Sequence, residues 1–465
     1  MHAFKHLHLP HLHHSVKRDV DMTHGNIVRH LLTFAFPLLL GNIFQQLYNM
    51  VDTWVVGNYV SNEAFSAVGS VGPIINTLIG FFSGLSSGAG AIISQFYGAK
   101  KEDKVQEAVH TAVLMTLLLG VIFTGVGLLI TPYMLRLMKT PAEVFPESQA
   151  YLGIYFAGIL GLMLYNIGAG ILRAVGDSKR PFYFLVVTAI MNTVLDLVFV
   201  LVFDMGVEGV ALATIIAQAT SAVLVLVTLM RSANCVRLSL RRLRIHWEML
   251  QKIIRVGIPA ALQMSITSFS NVFVQSYVNY FGPDFMAGWT AYAKIDQLAL
   301  LPMQSIALAS TTFVGQNLGS GQDKRAQKGL GTALWLSLAC TGVILIPIML
   351  FAPYLVTFFN GKAEVIEYGT TLLRVISPFY LLCCVNQVLA GALRGAGNSR
   401  AVMFILLPSF VVFRQIYLFV MANYICNEFI PIAMAYPAGW ILATSLLCLY
   451  YYKVRFSGYK KIVEG

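Results

Sequence analysis

The stretch QFYGAKKEDKVQEA (95–108) recurs later in the chain as QNLGSGQDKRAQKG (316–329), so position 95 corresponds to position 316. A second stretch, ILRAVGDSKR (171–180), recurs with the same displacement as ALRGAGNSRA (392–401). The coinciding residues are Gln95 with Gln316, Gly98 with Gly319, Arg173 with Arg394, Gly176 with Gly397, and Ser178 with Ser399. Two matches with one displacement indicate that the chain consists of two copies of the same unit.

The composition places both copies in a membrane. Of the 465 residues, 57% are hydrophobic and only 11% are charged, whereas soluble domains carry about 25% charged residues. Apolar runs of about 20 residues, long enough to cross a ~30 Å hydrocarbon core as a helix, occur twelve times. They lie near 30–58, 64–96, 106–136, 148–173, 181–203, 207–230, 250–281, 285–316, 329–358, 368–392, 402–423 and 430–452. Six spans per copy is an even number, so the sequence predicts an all-α membrane protein with two six-helix lobes in a parallel repeat.

The basic residues are distributed unevenly between the loops. Assigning alternate loops to alternate sides places 26 of the 32 Lys and Arg residues on the side of the N-terminus and three on the other side, namely Arg136, Lys139 and Lys362. Such an excess marks the cytoplasmic side, so both termini are expected in the cytoplasm and the chain in the inner (plasma) membrane. This distribution explains the net charge of +11 without nucleic acid as a partner.

Two segments outside the spans have a distinctive composition. In the tail 1–26, six of the ten histidines lie at positions 2–14, and they could bind a metal or belong to a disordered segment. The stretch 231–249 is basic with interspersed apolar residues, so we expect a helix that lies on the anionic inner leaflet and tethers or regulates the lobes. The predicted lobes are 27–230 and 250–453, and 454–465 is a second cytoplasmic tail.

Carboxylates inside the first lobe carry the main functional signal. The first span has Asn42, Gln45, Asn49 and Asp52 on one helical face, and the fifth has Asn192 and Asp196 four residues apart. At 1.5 Å per residue, Asp52, Asp196 and Thr214 of the sixth span each lie about 10 Å inside the external end of their spans. A bare carboxylate in the bilayer costs at least ~2.5 kcal/mol, and two that repel each other suit capture of H⁺ or Na⁺, with Asn192 and Thr214 oxygens as neutral ligands. The alternative is an ordinary hydrogen-bonded contact between helices.

The second lobe does not repeat this arrangement. Val274 stands at the position of Asp52, and Tyr417 at that of Asp196. Its polar residues within spans are Ser268, Asn271, Gln275, Lys294, Asp296, Gln297, Asn386, Gln387 and Arg414. Asp296 either forms a structural ion pair, with Arg414 as a better partner than Lys294, or helps to bind substrate. The sequence therefore assigns ion coupling to the first lobe.

The sequence resembles the MATE (multidrug and toxic compound extrusion) transporters over about 27–453. The motifs that carry the resemblance are QQLYNMVDTWVVG (45–57), QFYGAKKEDK (95–104), LRAVGDSKRP (172–181), MNTVLDLVFV (191–200) and VGQNLGSGQDKR (314–325). The resemblance implies a V-shaped pair of lobes that exports small organic, often cationic, compounds in exchange for Na⁺ or H⁺.

Within that family the sequence is most similar to the DinF-like branch, in which the coupling site lies in the N-terminal lobe. The residues that match the motif positions of this site are Asp52, Asn192, Asp196 and Thr214, together with Gln45 and Tyr151. The acids on the seventh and tenth spans of NorM-like members are missing here. We expect a substrate cavity lined by Gln45, Asn49, Tyr151, Asn271, Asp296 and Gln387. We also expect a monomer with lipid as its surroundings and no cofactor besides the coupling ion, so that Asp52, Asn192, Asp196 and Thr214 form a metal site only if that ion is Na⁺.

Other functions fit the sequence less well. A flippase for lipid-linked oligosaccharides belongs to the same superfamily, but such lipid II flippases usually have fourteen spans and a strongly cationic cavity. An intramembrane enzyme is not indicated, because the sequence contains no HExxH, GxSxG or paired metal-ligand motif. A parallel repeat with one specialised lobe favours alternating access over a channel.

Overall fold

The computed structural model describes residues 20–138 and 140–456, and these form helices joined by short loops. The first half of the chain contains six elements in the predicted order. They are α1 (Ile27–Tyr59), α2 (Asn62–Gly98), α3 (Glu102–Leu137), α4 (Phe145–Ala157 and Ile159–Ala174, bent by 47°), α5 (Lys179–Val202) and α6 (Gly206–Met230). The prediction of an all-α fold is confirmed.

The second half repeats this order with six further elements. They are α7 (Trp247–Asn279), α8 (Pro283–Gly319), α9 (Asp323–Phe359), α10 (Ala363–Gly395), α11 (Ser399–Ile425) and α12 (Phe429–Val454). Among the described residues, ten helices are by themselves long and apolar enough to cross a membrane, and the bent pair α4 makes eleven. The remaining element, α7, is less apolar because its first turns carry Glu248, Lys252 and Arg255.

The prediction of a helix over 231–249 is wrong. The segment between α6 and α7 contains a single 3₁₀ turn, Leu240–Arg242, and is otherwise not helical. Cys235, Val236 and Leu238 are buried in the core of the first half. The backbone N–H of Ser239 donates to Nε2 of His110 on α3 at 3.0 Å. The linker is therefore docked on α3, because tertiary contacts satisfy its backbone and bury its apolar residues.

The inner halves of α1 and α7 pack into the opposite copy of the repeat. Leu31 and Phe34 of α1 belong to a hydrophobic core formed mainly by α8, α9, α10 and α12. Reciprocally, Met249 and Ile253 of α7 belong to a core formed by α2, α3, α4 and α6. The outer half of α1, with Val55 and Val56, returns to its own copy. The two halves thus interlock at the end where the N-terminal segment lies.

At this interlocked end the two halves are joined by a pair of repeat-related contacts, which we call the inner seam. Nε2 of Gln95 donates to the carbonyl of Gly395 at 2.6 Å, and Nε2 of Gln316 donates to the carbonyl of Ala174 at 2.9 Å. The repeat relates both donors and both acceptors, because position 95 corresponds to 316 and position 174 to 395. Each copy therefore holds the other by the same hydrogen bond.

Residues 20–26, the last part of the predicted N-terminal tail, lie across the inner seam. The N–H of Val20 donates to the carbonyl of Val175 in the first half at 3.1 Å. The N–H of Met22 donates to Oε1 of Gln316 in the second half at 2.9 Å, and the Met22 side chain is buried in the second-half core. The His-rich part of the tail, 1–19, and residues 457–465 of the C-terminal tail lie outside the described residues.

The halves separate toward the opposite end. Along α2, a Cβ on Gly88 would meet the backbone of Gly257 at 2.2 Å, and one on Gly84 would meet Ala261 at 2.5 Å. Nearer the start of the same helix, a Cβ on Gly69 or Gly72 would meet nothing within 4 Å among the described residues. Contact at one end and separation at the other give the expected V shape, with a cleft that opens away from the inner seam.

Candidate ion and substrate site

Three of the predicted site residues meet between α1, α5 and α6. Asp52 is 7% exposed, Asp196 is 0% exposed, and their carboxyl groups lie within hydrogen-bonding reach of each other. Oγ1 of Thr214 donates to Oδ2 of Asp52 at 3.5 Å, a long contact, and also to the carbonyl of Val210 at 3.0 Å. The helical spacing had placed these residues at one depth, and the tertiary structure brings them to one point.

The carboxyl pair lacks hydrogen-bond donors. Oδ1 of Asp52 and both carboxyl oxygens of Asp196 have no partner among the described residues, and neither has the amide group of Asn192. A buried polar atom without a partner costs about 1 to 3 kcal/mol, and two ionised carboxylates in contact repel. A proton shared between the carboxyls, or a cation between them, would satisfy these oxygens and remove the repulsion.

The chemistry of the donor set fits a monovalent hard cation as well as a proton. Asp52, Asp196, Asn192 and Thr214 all supply oxygen atoms, which hard cations prefer. The described residues contain no group of three or more His, Cys, Asp or Glu side chains that could hold a metal ion. The site therefore offers two carboxylates and neutral oxygens, a set that could bind either H⁺ or Na⁺.

A group of three tyrosines lies next to the acid pair, and sequence reasoning missed two of them. Tyr151 of α4, which was predicted, lies close to both acids and to Tyr48 and Tyr155. Tyr48 stands four residues before Asp52, and Tyr155 four residues after Tyr151, so each shares a helical face with a predicted residue. That spacing was the available signal. The phenols provide polar groups that can follow a change in the charge of the carboxyls.

The helix that carries Asp196 changes geometry just beyond it. Residues Val198–Val202 of α5 form a π-helical turn, and such single turns inside α-helices occur frequently at functional sites. The wider turn interrupts the regular hydrogen-bond ladder two residues after the carboxylate. The helix is therefore irregular directly beside the buried carboxylate.

The other residues predicted for the first-lobe cavity lie nearer the surface. Gln45 is half-buried and hydrogen bonds to Tyr48, and Asn49 is exposed. Along the polar stripe of α1, Asn42 and Gln45 are half-buried, Asn49 is exposed and Asp52 is buried.

A second polar cluster forms in the other lobe around Asp296 of α8. The hydroxyl of Tyr292 donates to Oδ1 of Asp296 at 3.2 Å, and the Tyr380 hydroxyl is a second hydrogen-bonding neighbour. Ring contacts extend the cluster from Tyr292 to Trp289 (5.4 Å between centroids) and on to Tyr436 (5.9 Å). We call this set the aromatic cluster. A carboxylate beside aromatic faces is a combination that binds organic cations.

The ion pair considered for Asp296 is not formed. Within the described part of the chain, no carboxylate lies within ion-pair distance of Arg414, and Lys294 is exposed. Arg414 instead donates from Nη2 to Oγ of Ser270 at 2.5 Å and to Oδ1 of Asn271 at 3.0 Å. Of the remaining predicted cavity residues, Asn271 is exposed on α7 and Gln387 is half-buried on α10.

Comparison with known proteins decides the family. A model of the MatE family matches residues 37–198 and, separately, residues 259–420. The chain belongs to the MATE family. The two matched segments begin at positions 37 and 259, which the repeat brings into correspondence, so each half of the chain is one MATE unit and the internal repeat is confirmed.

Curated MATE relatives cover nearly the whole chain. The "Probable multidrug resistance protein YpnP" of Bacillus subtilis (strain 168) is 30% identical over 444 residues, which are 96% of this chain and 99% of the relative. The "Probable multidrug resistance protein NorM" of Thermotoga maritima is 27% identical over 405 residues, 86% of each chain.

Solved MATE structures have the same fold. A structure described as the "outward-facing conformation of a multidrug resistance MATE family transporter of the MOP superfamily" matches with a TM-score of 0.88 and 23% identity, covering 95% of this chain and 99% of that one. A MOP superfamily transporter from Pyrococcus furiosus, described as having a binding pocket of reverse polarity, matches with a TM-score of 0.87 and 23% identity, covering 95% and 98%. The chain is therefore a multi-pass membrane transporter with the MATE architecture.

Proposed function

We propose that this MATE protein is a secondary antiporter of the inner membrane that exports multiple organic, often cationic, compounds in exchange for H⁺ or Na⁺. The observation that carries the proposal is the buried pair Asp52 and Asp196, whose oxygens lack donors. The names of the relatives, which describe multidrug resistance proteins, support the substrate range. We place the coupling site in the first lobe, as in the DinF-like branch that the sequence resembles.

The coupling ion acts by binding one conformation better than the other. A ligand shifts an equilibrium only through its differential affinity for the two states. In the described conformation the inner seam is closed and the carboxyl pair is buried, so ion release requires the helices around the pair to move. Transfer of one charge through the membrane potential is worth ~2.3 kcal/mol per 100 mV, which is enough to bias such a switch by more than tenfold.

We place the substrate site at the second lobe, next to Asp296 and the aromatic cluster. A carboxylate and aromatic faces together attract a cationic ring system. With the termini in the cytoplasm, as the basic residues indicate, the inner seam faces the cytoplasm and the cleft opens outward. One chain contains both lobes, so a monomer suffices for alternating access.

Flux measurements test the proposal and identify whether H⁺ or Na⁺ is the coupling ion. Purified protein in liposomes loaded with a fluorescent organic cation is given a Na⁺ gradient or a pH gradient, each imposed separately. We expect one gradient to drive export against the dye gradient and the other to have little effect. Export that proceeds at the same rate with no ion gradient would contradict antiport.

Asp296→Asn should impair transport of some substrates only. The substitution keeps the shape of the side chain and removes the charge beside the aromatic cluster, but it leaves the coupling pair intact. We expect export of compact monocations to fall about tenfold, in line with the loss of a charge-assisted contact of about 1.5 kcal/mol, while larger apolar substrates are less affected. The measurement is gradient-driven efflux of a substrate panel. Loss of ion-coupled transport for every substrate would show that Asp296 belongs to the coupling step.

A further inference from the structure

Arg414 is a buried guanidinium without a carboxylate partner in the described part of the chain. It lies in α11, well inside the membrane region, and is 4% exposed. Its neighbours are neutral: the Ser270 hydroxyl, the Asn271 amide and the ring of Tyr436, whose centroid is 4.7 Å from the guanidinium carbon. Nε of Arg414 is buried and has no acceptor among the described residues. A charge in this position is costly and usually functional.

The guanidinium lies directly behind the surface of the second lobe. Asn271, which accepts from Arg414, is exposed, and the hydroxyl of Tyr436 donates to the same Asn271 oxygen at 3.3 Å. A small rotation of the Asn271 side chain would therefore give a ligand access to Arg414. A π-helical turn, Pro408–Phe413, ends immediately before Arg414, so the helix is irregular next to this charge as it is next to Asp196.

Arg414 and Asp296 belong to one continuous cluster although they are not paired. Tyr436 contacts Arg414 on one side and Trp289 on the other, and Trp289 contacts Tyr292, which hydrogen bonds to Asp296. Aromatic rings thus separate an anionic group from a cationic group. The first lobe has no such arrangement at the corresponding positions, because the repeat places Thr193 where Arg414 stands in the second lobe.

We propose that Arg414, together with Ser270, binds the carboxylate of a substrate whose cationic part lies near the aromatic cluster and Asp296. This inference rests on the proposed substrate site and assigns Arg414 as a residue that determines specificity in it. A carboxylate is the group that matches the planar guanidinium best, since it can accept two parallel hydrogen bonds from Arg.

A matched pair of ligands tests the carboxylate directly. The probes are a rhodamine dye with a free carboxyl group and its methyl ester, which share the same cationic ring system. Binding to purified protein is followed by fluorescence anisotropy, without any ion gradient. We expect the wild type to bind the acid about tenfold or more tightly than the ester, as a charge-assisted hydrogen bond of about 1.5 to 3 kcal/mol implies.

Three variants test whether the preference for the acid over the ester depends on Arg414. Arg414→Gln should abolish the acid preference and leave ester affinity within about twofold, whereas Arg414→Lys should retain part of it because charge remains without the planar fork. Asn271→Asp, at an exposed and nearly isosteric position, places a carboxylate of the protein on Arg414 and should also abolish the preference. Lys294→Gln is the matched control, since it removes an exposed cation of α8 and should leave the preference unchanged.

The outcomes separate this inference from antiport. Equal affinity of wild type for acid and ester, or an acid preference that persists in Asn271→Asp, would overturn the carboxylate site even if Arg414→Gln failed to fold. An acid preference that depends on Arg414 in a protein whose flux ignores both ion gradients would refute antiport and support the subsite.

Discussion

Asp52→Asn protein should insert and fold normally but lose ion-driven export. The substitution keeps the size of the side chain and its contact with Thr214, but it removes one of the two charges that the proposed coupling ion would neutralise. Because the energy stored per transferred charge is ~2.3 kcal/mol per 100 mV, gradient-driven flux should fall by at least about tenfold. The measurement is dye export from liposomes with the amount of reconstituted protein matched to wild type.

Two further variants define the role of the pair. Asp284→Asn removes a carboxylate that is 42% exposed and paired with Lys362 at 2.6 Å, and it should transport as wild type does. Asp196→Asn should also remove the ion-dependent change in distance between spin labels on α1 and α5. Normal gradient-driven export by Asp52→Asn, or an unaltered spin-label response in Asp196→Asn, would mean that the carboxyl pair is structural.

Gly98→Ala should prevent closure of the inner seam and so abolish the state in which the cleft at the opposite end is open. A Cβ on Gly98 would lie 1.9 Å from the backbone carbonyl oxygen of Gln316, far below van der Waals contact. Backbone cannot rotate away as a side-chain end can, so the two halves must separate. We expect transport to fall more than tenfold, and labels at the exposed positions Glu102 and Lys324 to move apart in pulsed electron resonance measurements.

Two further glycine variants test this explanation, one at the repeat-related position and one as a control. In the related position, a Cβ on Gly319 would lie 1.9 Å from the carbonyl oxygen of Gln95, so Gly319→Ala should have the same effect. Gly69→Ala lies on the same helix as Gly98 but meets nothing within 4 Å among the described residues. It should leave the distances unchanged and favour the helix by about 1 kcal/mol. A wild-type distance in Gly98→Ala would show that the seam tolerates a side chain.

The interlocked seam also bears on the order of events in transport. Gln95 and Gln316 hold opposite carbonyls, and the segment from Val20 to Met22 contacts both halves across the same seam. Opening of the inner seam must break these hydrogen bonds together, since each connects one half to the other. In the proposed antiport, ion binding at Asp52 and Asp196 would have to supply this free energy at a distance, through movement of α1, which extends from the acid pair to the seam.

Much of this architecture follows from local properties of the sequence. Hydropathy located the twelve helical elements because a span must be apolar over about 20 residues regardless of its neighbours. Helical spacing placed Asn192 with Asp196, and depth counting brought Asp52 and Thr214 to the same level, because rise per residue is constant. The repeat was visible because matching segments such as 95–108 and 316–329 retain glycine and glutamine residues, which the close backbone contacts and reciprocal hydrogen bonds of the seam use.

The features that the sequence did not predict depend on contacts between segments that are distant in the chain. The basic linker has the composition of a surface helix, yet His110 and Thr111 of α3 accept its backbone N–H groups at 3.0 Å and hold it extended. Asp296 and Arg414 have opposite charges but hydrogen bond to Tyr292 and to Ser270 and Asn271 instead, because aromatic rings lie between them. Composition and periodicity specify which residues a helix offers, whereas the partner that each side chain meets is decided by how the helices cross. For this protein, the sequence by itself determined the spans, their repeat and the depth of the acids, and the tertiary structure alone decided the closed seam, the docked linker and the unpaired arginine.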